Sequence, residues 1–431
     1  MPLTDSLTYL SPDLPGIGGV LKQRPEDFLV EEQPLYEPSG EGEHLYLYIE
    51  KRGLTTIEAV RRVAKYFRMN KRNIGYAGLK DKHAVTRQHL SLWVPQATND
   101  DIAASMDRLK DDPKINALWA ERHGNKLRRG HHGGNRFVLR VREVDPTAVV
   151  RAKPILDLLT KSGVPNYIGD QRFGYRQNSH RMGRLLLRGE YEAVLDELLG
   201  SDYPTESEFI RAGRGHYRAG RYTEALEVWP KVLRYDRQAL DALRQGKRGR
   251  DAVRAIDPAQ RRFLVSAWQS DVFNQVLDRR LRGGSFDRLL LGDLAWKHDN
   301  RSVFVVDDEA ASQDNAPGGR VEGFEVSPSG PLWGVEMPRA TGETGEIERA
   351  KLEASGITED QLAGPPGDPE HAAEGRRRPL RIVMKDPDLS GGVDEHGAYV
   401  RVSFELPRGA YATMVMRELM KNGGEGTGAG D

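Results

Sequence analysis

Asp81 stands between Lys80 and Lys82 in the segment GYAGLKDKHAVTRQ, residues 75–88. A carboxylate flanked by ammonium groups is favoured in its ionised form, and an ionised carboxylate can serve as a nucleophile or base. Taken by itself, an acid in a short turn is more often a solvated loop residue. His123, His131 and His132 cluster in sequence but have no companion carboxylate pattern, so no metal is expected. The chain contains no cysteine, which excludes disulfides, thiolate metal sites and cysteine nucleophiles.

The formal net charge is zero, with 64 basic and 64 acidic side chains, yet the charge is unevenly spread. Residues 51–140 carry 20 lysines and arginines against eight acids, an excess of twelve. A basic stretch in a neutral protein is the footprint expected of a surface that docks a polyanion such as nucleic acid. Within it, Arg128, Arg129 and Arg136 surround the glycine-rich turn KLRRGHHGGNRF, and Arg172 lies further on in QRFG. These arginines, with Lys80, are candidate phosphate contacts. Hydrophobic residues make up 38% and charged residues 30%, and no apolar run approaches a membrane span. The start MPLTDSLTYLSPDLPG lacks a basic stretch followed by an apolar core, so a cytoplasmic protein is expected.

The elements that must position Asp81 follow from periodicity. IGGVLKQRPEDFLVEEQ (17–33) and EHLYLYIEKR (43–52) read as strands separated by the turn-forming EPSGEGE. In TTIEAVRRVAKYFRM, Thr55 and Glu58 make a capping-box pattern, and Val60, Val63, Ala64 and Phe67 form an apolar stripe opposite a basic face. NIGYAGL and RQHLSLWVP read as strands flanking KDKHAVT, which puts Asp81 on a reversal at a sheet edge. INALWAER and NRFVLRVRE continue the strand pattern, and 149–162 reads as a helix closed by Gly163 and stopped at Pro165.

From about residue 178 the character turns helical, through LLLRGEYEAVLDELLG, RYTEALEVWPKVLRY and the long RRFLVSAWQSDVFNQVLDRRL. Residues 307–320 and 338–375 read as loops with one short helix around IERAKLEA, and the tail GGEGTGAGD reads as disordered. Strand patterns return in LRIVMK and AYVRVSFELP, followed by the helix YATMVMRELMK. At 431 residues two domains, or one with a large insertion, are expected. The pattern predicts an α+β fold with a catalytic domain over 1–172 and 379–431, interrupted by a mostly helical insertion over 173–378.

The segment GYAGLKDKHAVTRQ resembles the signature of the TruD family of tRNA pseudouridine synthases, a Gly-Leu-Lys-Asp loop followed by Ala-Val-Thr-Arg-Gln. The resemblance continues in order through KQRPEDFLVEE, KLRRGHHGGNRF, VPNYIGDQRFG, SAWQSDVFNQVL, SGPLWG and FELPRGAYATMVMREL, covering most of the chain. It implies a catalytic domain of the pseudouridine-synthase fold, a mixed, mainly antiparallel sheet with flanking helices, plus an inserted TRUD domain. It also implies isomerisation of uridine to pseudouridine, at position 13 of tRNA in bacterial members and on further structured RNAs elsewhere.

That reaction breaks the N1–C1′ bond, turns the uracil and joins C5 to C1′; it needs no redox change, metal or cofactor. The resemblance carries Asp81 over as the catalytic carboxylate. Attack at C1′, addition to the uracil ring and removal of a ribose proton are all compatible with a carboxylate there. It likewise assigns Lys22 to pairing with Asp81 and Phe28 to base contact, where an aromatic face stacks on uracil. Asn166 falls on a position whose amide can read a uracil edge, and Tyr411 on a pocket aromatic. Ile168 replaces the aromatic that follows Asn-Tyr in the bacterial pattern, so no stacking is expected there. The tRNA is the partner implied, with a monomeric enzyme. A non-catalytic RNA-binding protein, such as a tRNA folding chaperone, would use the same basic surface. A deaminase or hydrolase is disfavoured by the missing cysteine and the absence of a His-x-Glu zinc motif.

Overall fold

The computed structural model describes residues 3–204 and 206–422; the tail GGEGTGAGD lies outside them. The chain is α+β and divides into two compact units. One comprises residues 9–164 and 382–431, the other residues 1–8 and 165–381. The divisions thus fall at 164/165 and 381/382 rather than after 172 and 378, and the first eight residues join the middle unit.

The first unit is built on a nine-stranded sheet. Along its main path the strands run Lys385–Asp394, Gly397–Pro407, Gly134–Arg142, Phe28–Gln33, Val85–Trp93, His44–Arg52 and Ile115–His123. Val20–Leu21 and Ile74–Tyr76 pair at the side of this path. Every pairing is antiparallel except that of 28–33 with 85–93. The returning strand 397–407 pairs with 134–142 from Tyr399 opposite Arg142 to Pro407 opposite Gly134, so the C-terminal segment completes the sheet.

The helix Thr56–Tyr66 packs Val60, Val63 and Ala64 against Leu47, Ile49, Leu90 and Leu92 of that sheet. Its start is fixed by both capping-box bonds: Thr55 Oγ1 accepts from the Glu58 N–H at 3.2 Å, and Glu58 accepts from the Thr55 N–H at 2.7 Å. Helix Val149–Ser162 ends at Gly163, whose φ of 87° is open to glycine without steric cost.

Two expectations need correction. Residues 17–33 are not one strand, because Lys22 takes a left-handed φ of 61° and Pro25 opens a 3-10 turn, Pro25–Asp27, before the strand Phe28–Gln33 begins. That turn is stapled by Arg142, which donates to Asp27 at 2.6 and 3.0 Å and to Asp394 at 2.6 and 2.9 Å. Residues 307–320 are not all loop either. Asp307 caps a helix, Asp308–Asp314, by accepting from the Ala310 N–H at 2.8 Å.

The second unit gathers helices around Trp229, Trp268 and Trp333, with the 25-residue helix Pro258–Arg282 at its centre. It also contains a four-stranded sheet in the order Val303–Val305, Leu294–Lys297, Val326–Leu332, Arg376–Pro379. No described helix is long and apolar enough to cross a membrane.

Candidate active site

Strands 74–76 and 85–93 pair with each other from Ile74 opposite Leu92 to Tyr76 opposite Leu90, and residues 77–84 loop out between them with Asp81. Gly75 allows this region to be crossed by a second segment: a Cβ there would meet the Leu127 carbonyl oxygen at 2.3 Å. The Leu127 N–H donates to Ser91 Oγ and the Gly130 N–H to the Ala77 carbonyl, each at 2.8 Å. The basic turn is therefore laid on the segment that leads into Asp81. Arg128 and Arg129 are exposed on it, with Arg129 placed 6.0 Å from the centre of the Tyr76 ring. Arg136 is exposed on the strand that follows.

The Asp81 carboxylate is 41% exposed and accepts from Lys22 Nζ through Oδ2 at 2.9 Å. Among the described residues no donor reaches Oδ1. Lys22 is 26% exposed, and its ammonium lies 4.2 Å from the centre of the Phe28 ring, a cation–π distance. Strand alternation turns Phe28, Val30 and Glu32 to one buried face. Phe28 is thus a support beneath Lys22, and its ring presents no open stacking face in this conformation.

Lys80 turns the other way. Its side chain is 6% exposed, its Nζ sits 3.2 Å from Glu32 Oε2 and it also donates to Asn135 Oδ1. A phosphate-contact role for Lys80 is therefore corrected: the ammonium is committed inside the sheet. Glu32 in turn accepts from the His89 N–H at 3.1 Å. Burial alone would raise the Glu32 pKa, but the hydrogen bonds from His89 and the charge of Lys80 outweigh it and hold the carboxyl below its ordinary value.

Lys51, which no sequence motif marks, is fully buried. Its Nζ donates to the carbonyl of Asp81 at 3.0 Å and to that of Leu54 at 2.5 Å. Burial pushes its ammonium down to about 8, against the opposing pull of Asp81. Parity in EHLYLYIEKR carries the signal that finds it, since Leu45, Leu47, Ile49 and Lys51 share one face of the strand.

The remaining candidates lie on other elements. Tyr411 is half-buried where helix Ala412–Met420 begins. Asn166 and Arg172 belong to the second unit. Both ends of the Asn166 amide are used: Nδ2 donates to the Pro379 carbonyl at 2.8 Å, and Oδ1 accepts from Arg378. Asn166 therefore ties the strand 376–379 through one Nδ2 proton and one lone pair of Oδ1. Arg172 donates to Ser266 Oγ at 3.3 Å and lies 5.5 Å from the centre of the Phe263 ring. Among the described residues the one cluster with metal-ligand spacing is Asp368, Glu370 and His371. Arg250, Arg254 and Tyr191 already occupy Asp368, and Arg261 occupies Glu370, which leaves little negative charge for a cation.

A family model for tRNA pseudouridine synthase D (TruD) matches residues 6–419. The chain belongs to the TruD family. It is 44% identical over 423 residues to the tRNA pseudouridine synthase D of Geobacter sulfurreducens, spanning 97% of this chain and 98% of that protein. It is also 44% identical over 418 residues to the protein of the same name from Geobacter metallireducens, spanning 96% and 98%. A solved TruD structure from Methanosarcina mazei matches with a TM-score of 0.82 at 26% identity, covering 97% of both chains. Within this TruD-family fold, the ordered sequence blocks around Asp81 and Lys22 meet at one place. The Asn166 side chain is bonded within the second unit.

Proposed function

We propose that this chain isomerises uridine to pseudouridine in tRNA, at position 13, with Asp81 as the catalytic nucleophile. It acts as a cytoplasmic monomer. The observation that carries the reading is the state of the Asp81 carboxylate: one oxygen is held by Lys22, and the other faces outward without a donor among the described residues. An ionised oxygen free on one side is what attack on the sugar–base junction requires. As Asp81 Oδ1 bonds to C1′ the N1–C1′ bond breaks, the freed uracil turns, C5 displaces the carboxylate from C1′ to form the C5–C1′ bond, and the proton lost from C5 is balanced by one gained at N1. No electron leaves or enters.

Lys22 holds the carboxylate in place, with Phe28 beneath it. Arg128, Arg129 and Arg136 are proposed to hold RNA phosphates, since they are exposed and the first two lie on the turn packed against the Asp81 loop. Tyr411 is proposed as a base contact from the same unit. The test maps pseudouridine by carbodiimide-dependent stops in total RNA from cells that carry the gene, lack it, or carry Asp81→Asn. Loss of a stop at position 13 of tRNA in both deficient strains is expected, with at least a thousandfold loss of rate in vitro, roughly what removal of a catalytic nucleophile costs. An unchanged rate in folded Asp81→Asn defeats the role of Asp81. A stop lost elsewhere defeats the position and leaves the reaction class standing.

A further inference from the structure

The Lys80–Asp81 dipeptide is tied at both of its backbone ends by one short stretch of chain. The Lys80 N–H donates to Thr56 Oγ1 at 2.9 Å, and the Asp81 carbonyl accepts from Lys51 Nζ at 3.0 Å. Lys51 reaches it from the strand His44–Arg52, where it is flanked across the sheet by Thr86 on one side and Ile115 on the other. The same ammonium holds the Leu54 carbonyl, just before the helix cap at Thr55. Thr56 Oγ1 is itself oriented by donating to Gln88 Oε1 at 3.0 Å. Lysine is among the residues that least tolerate full burial, and an apolar side chain would extend the face already formed by Leu45, Leu47 and Ile49. Its presence there needs a reason beyond packing.

We infer that Lys51 is a positioning residue for the reaction: it anchors the main chain of Asp81 from inside the sheet while Lys22 holds the carboxylate from outside. The inference rests on Asp81 being the catalytic carboxylate. Lys22 fixes where the carboxylate points, and Lys51 with Thr56 fixes where the residue stands. A displacement of about 1 Å at a reacting group can cost on the order of a hundredfold in rate.

Lys51 is faced by Asp81 and Lys80 from the loop and by Glu58 from the helix. With its ammonium pushed to about 8 by burial, the anchoring charge is present below that pH and lost above it. The folded value lies below the unfolded 10.5, so between about 8 and 10.5 the unfolded chain binds the extra proton. Losing the charge on Lys51 therefore does not lower stability in that window. A rate that falls there without a fall in folding stability reports position rather than integrity.

The experiment compares wild type, Lys51→Met, Thr56→Val, Thr56→Ser and Asp81→Asn with a tRNA substrate, measuring kcat, KM, thermal midpoint and the pH profile of kcat. Lys51→Met is expected to lower kcat about tenfold or more with KM within about threefold. The wild type is expected to show a decline in kcat near pH 8, which Lys51→Met should lose. Thr56→Val is expected to lower kcat in the same direction, and Thr56→Ser to restore it. Should Lys51→Met fail to fold, the Thr56 pair and the wild-type profile decide. Wild-type kcat in folded Lys51→Met or Thr56→Val overturns the inference, as does a pH step that persists in Lys51→Met. Full activity in Asp81→Asn removes the reading beneath it; an inert Asp81→Asn beside an unimpaired Lys51→Met removes only the role of Lys51.

Discussion

Asp293 in the second unit and Asp81 in the first are both carboxylates beside a cation, and they are held in opposite ways. Asp293 is gripped by Arg280 through two parallel bonds of 2.7 and 3.0 Å, and its Oδ2 accepts a third from the Leu290 N–H at 2.7 Å. Both partners are essentially fully buried. Asp81 has one lysine on one oxygen and stands in contact with solvent. A guanidinium fork takes both oxygens of a carboxylate at once, whereas an ammonium is a point charge that can leave one oxygen unused. The arginine forks here, including Arg377 on Glu348 and Arg142 on Asp394, serve the framework. Around Asp81 the lysines Lys22, Lys51 and Lys80 each take a different acceptor and leave Oδ1 open.

The comparison is broken most forcefully at Asp293. Asp293→Asn leaves a buried guanidinium without its counter-charge, and a loss of about 3–5 kcal/mol in unfolding free energy is expected. Urea denaturation measures it, while kcat per folded molecule stays within about twofold. A marginal loss of stability would place this fork with the weak ion pairs and dissolve the contrast.

A third carboxylate shows what burial does when no cation is committed to the group. Asp236 is buried and accepts from Trp229 Nε1 at 3.2 Å, while the nearby Arg214 is spent on Glu206. Burial pushes its pKa up to about 6. The folded value lies above the unfolded 3.8, so the folded state keeps a proton that the unfolded state releases between about pH 4 and 6. The stability this gives is present below that window and lost as pH rises through it. Asp236→Asn does not titrate, so its stability relative to wild type should rise on the order of 3 kcal/mol between pH 4 and 6 and stay level above. A difference independent of pH would mean that Asp236 is charged throughout.

These contrasts also mark what the sequence makes legible. Short-range features read well: the Thr55–Glu58 capping box, the Gly163 helix end, and the reversal between strands 74–76 and 85–93 all depend on residues a few positions apart. The pairing of Lys22 with Asp81 came through the resemblance, because 59 positions separate them and no local pattern links them. The inward turn of Lys80 was missed because its acceptors, Glu32 and Asn135, sit on other strands. The tie that holds Asn166 is hidden for the same reason: Arg378, which donates to its Oδ1, is 212 residues away. Lys51 is different, since strand parity alone places it on the apolar face, but as the next-to-last residue of its strand it passes for an exposed end. A long polar side chain declares its direction only through the partner it reaches, and periodicity is silent about partners.

The smallest expected effect sharpens the comparison most. Lys22→Met keeps the length of the side chain and the apolar contact with Phe28 while removing the charge from Oδ2. Because the pair is partly exposed on both sides, its contribution to stability should be small, roughly 0–1 kcal/mol. Its contribution to rate should be larger, about a tenfold loss in kcat, because the carboxylate loses the group that aims it. The two variants then cross: Asp293→Asn costs stability and spares the rate, and Lys22→Met costs rate and spares stability. Thermal midpoints and single-turnover rates on the same preparations measure both quantities. If Lys22→Met instead lost stability and rate together, the Lys22–Asp81 pair would be part of the framework, as the arginine forks are. Wild-type rates would make Lys22 a bystander, leaving Lys51 and Thr56 alone to position Asp81.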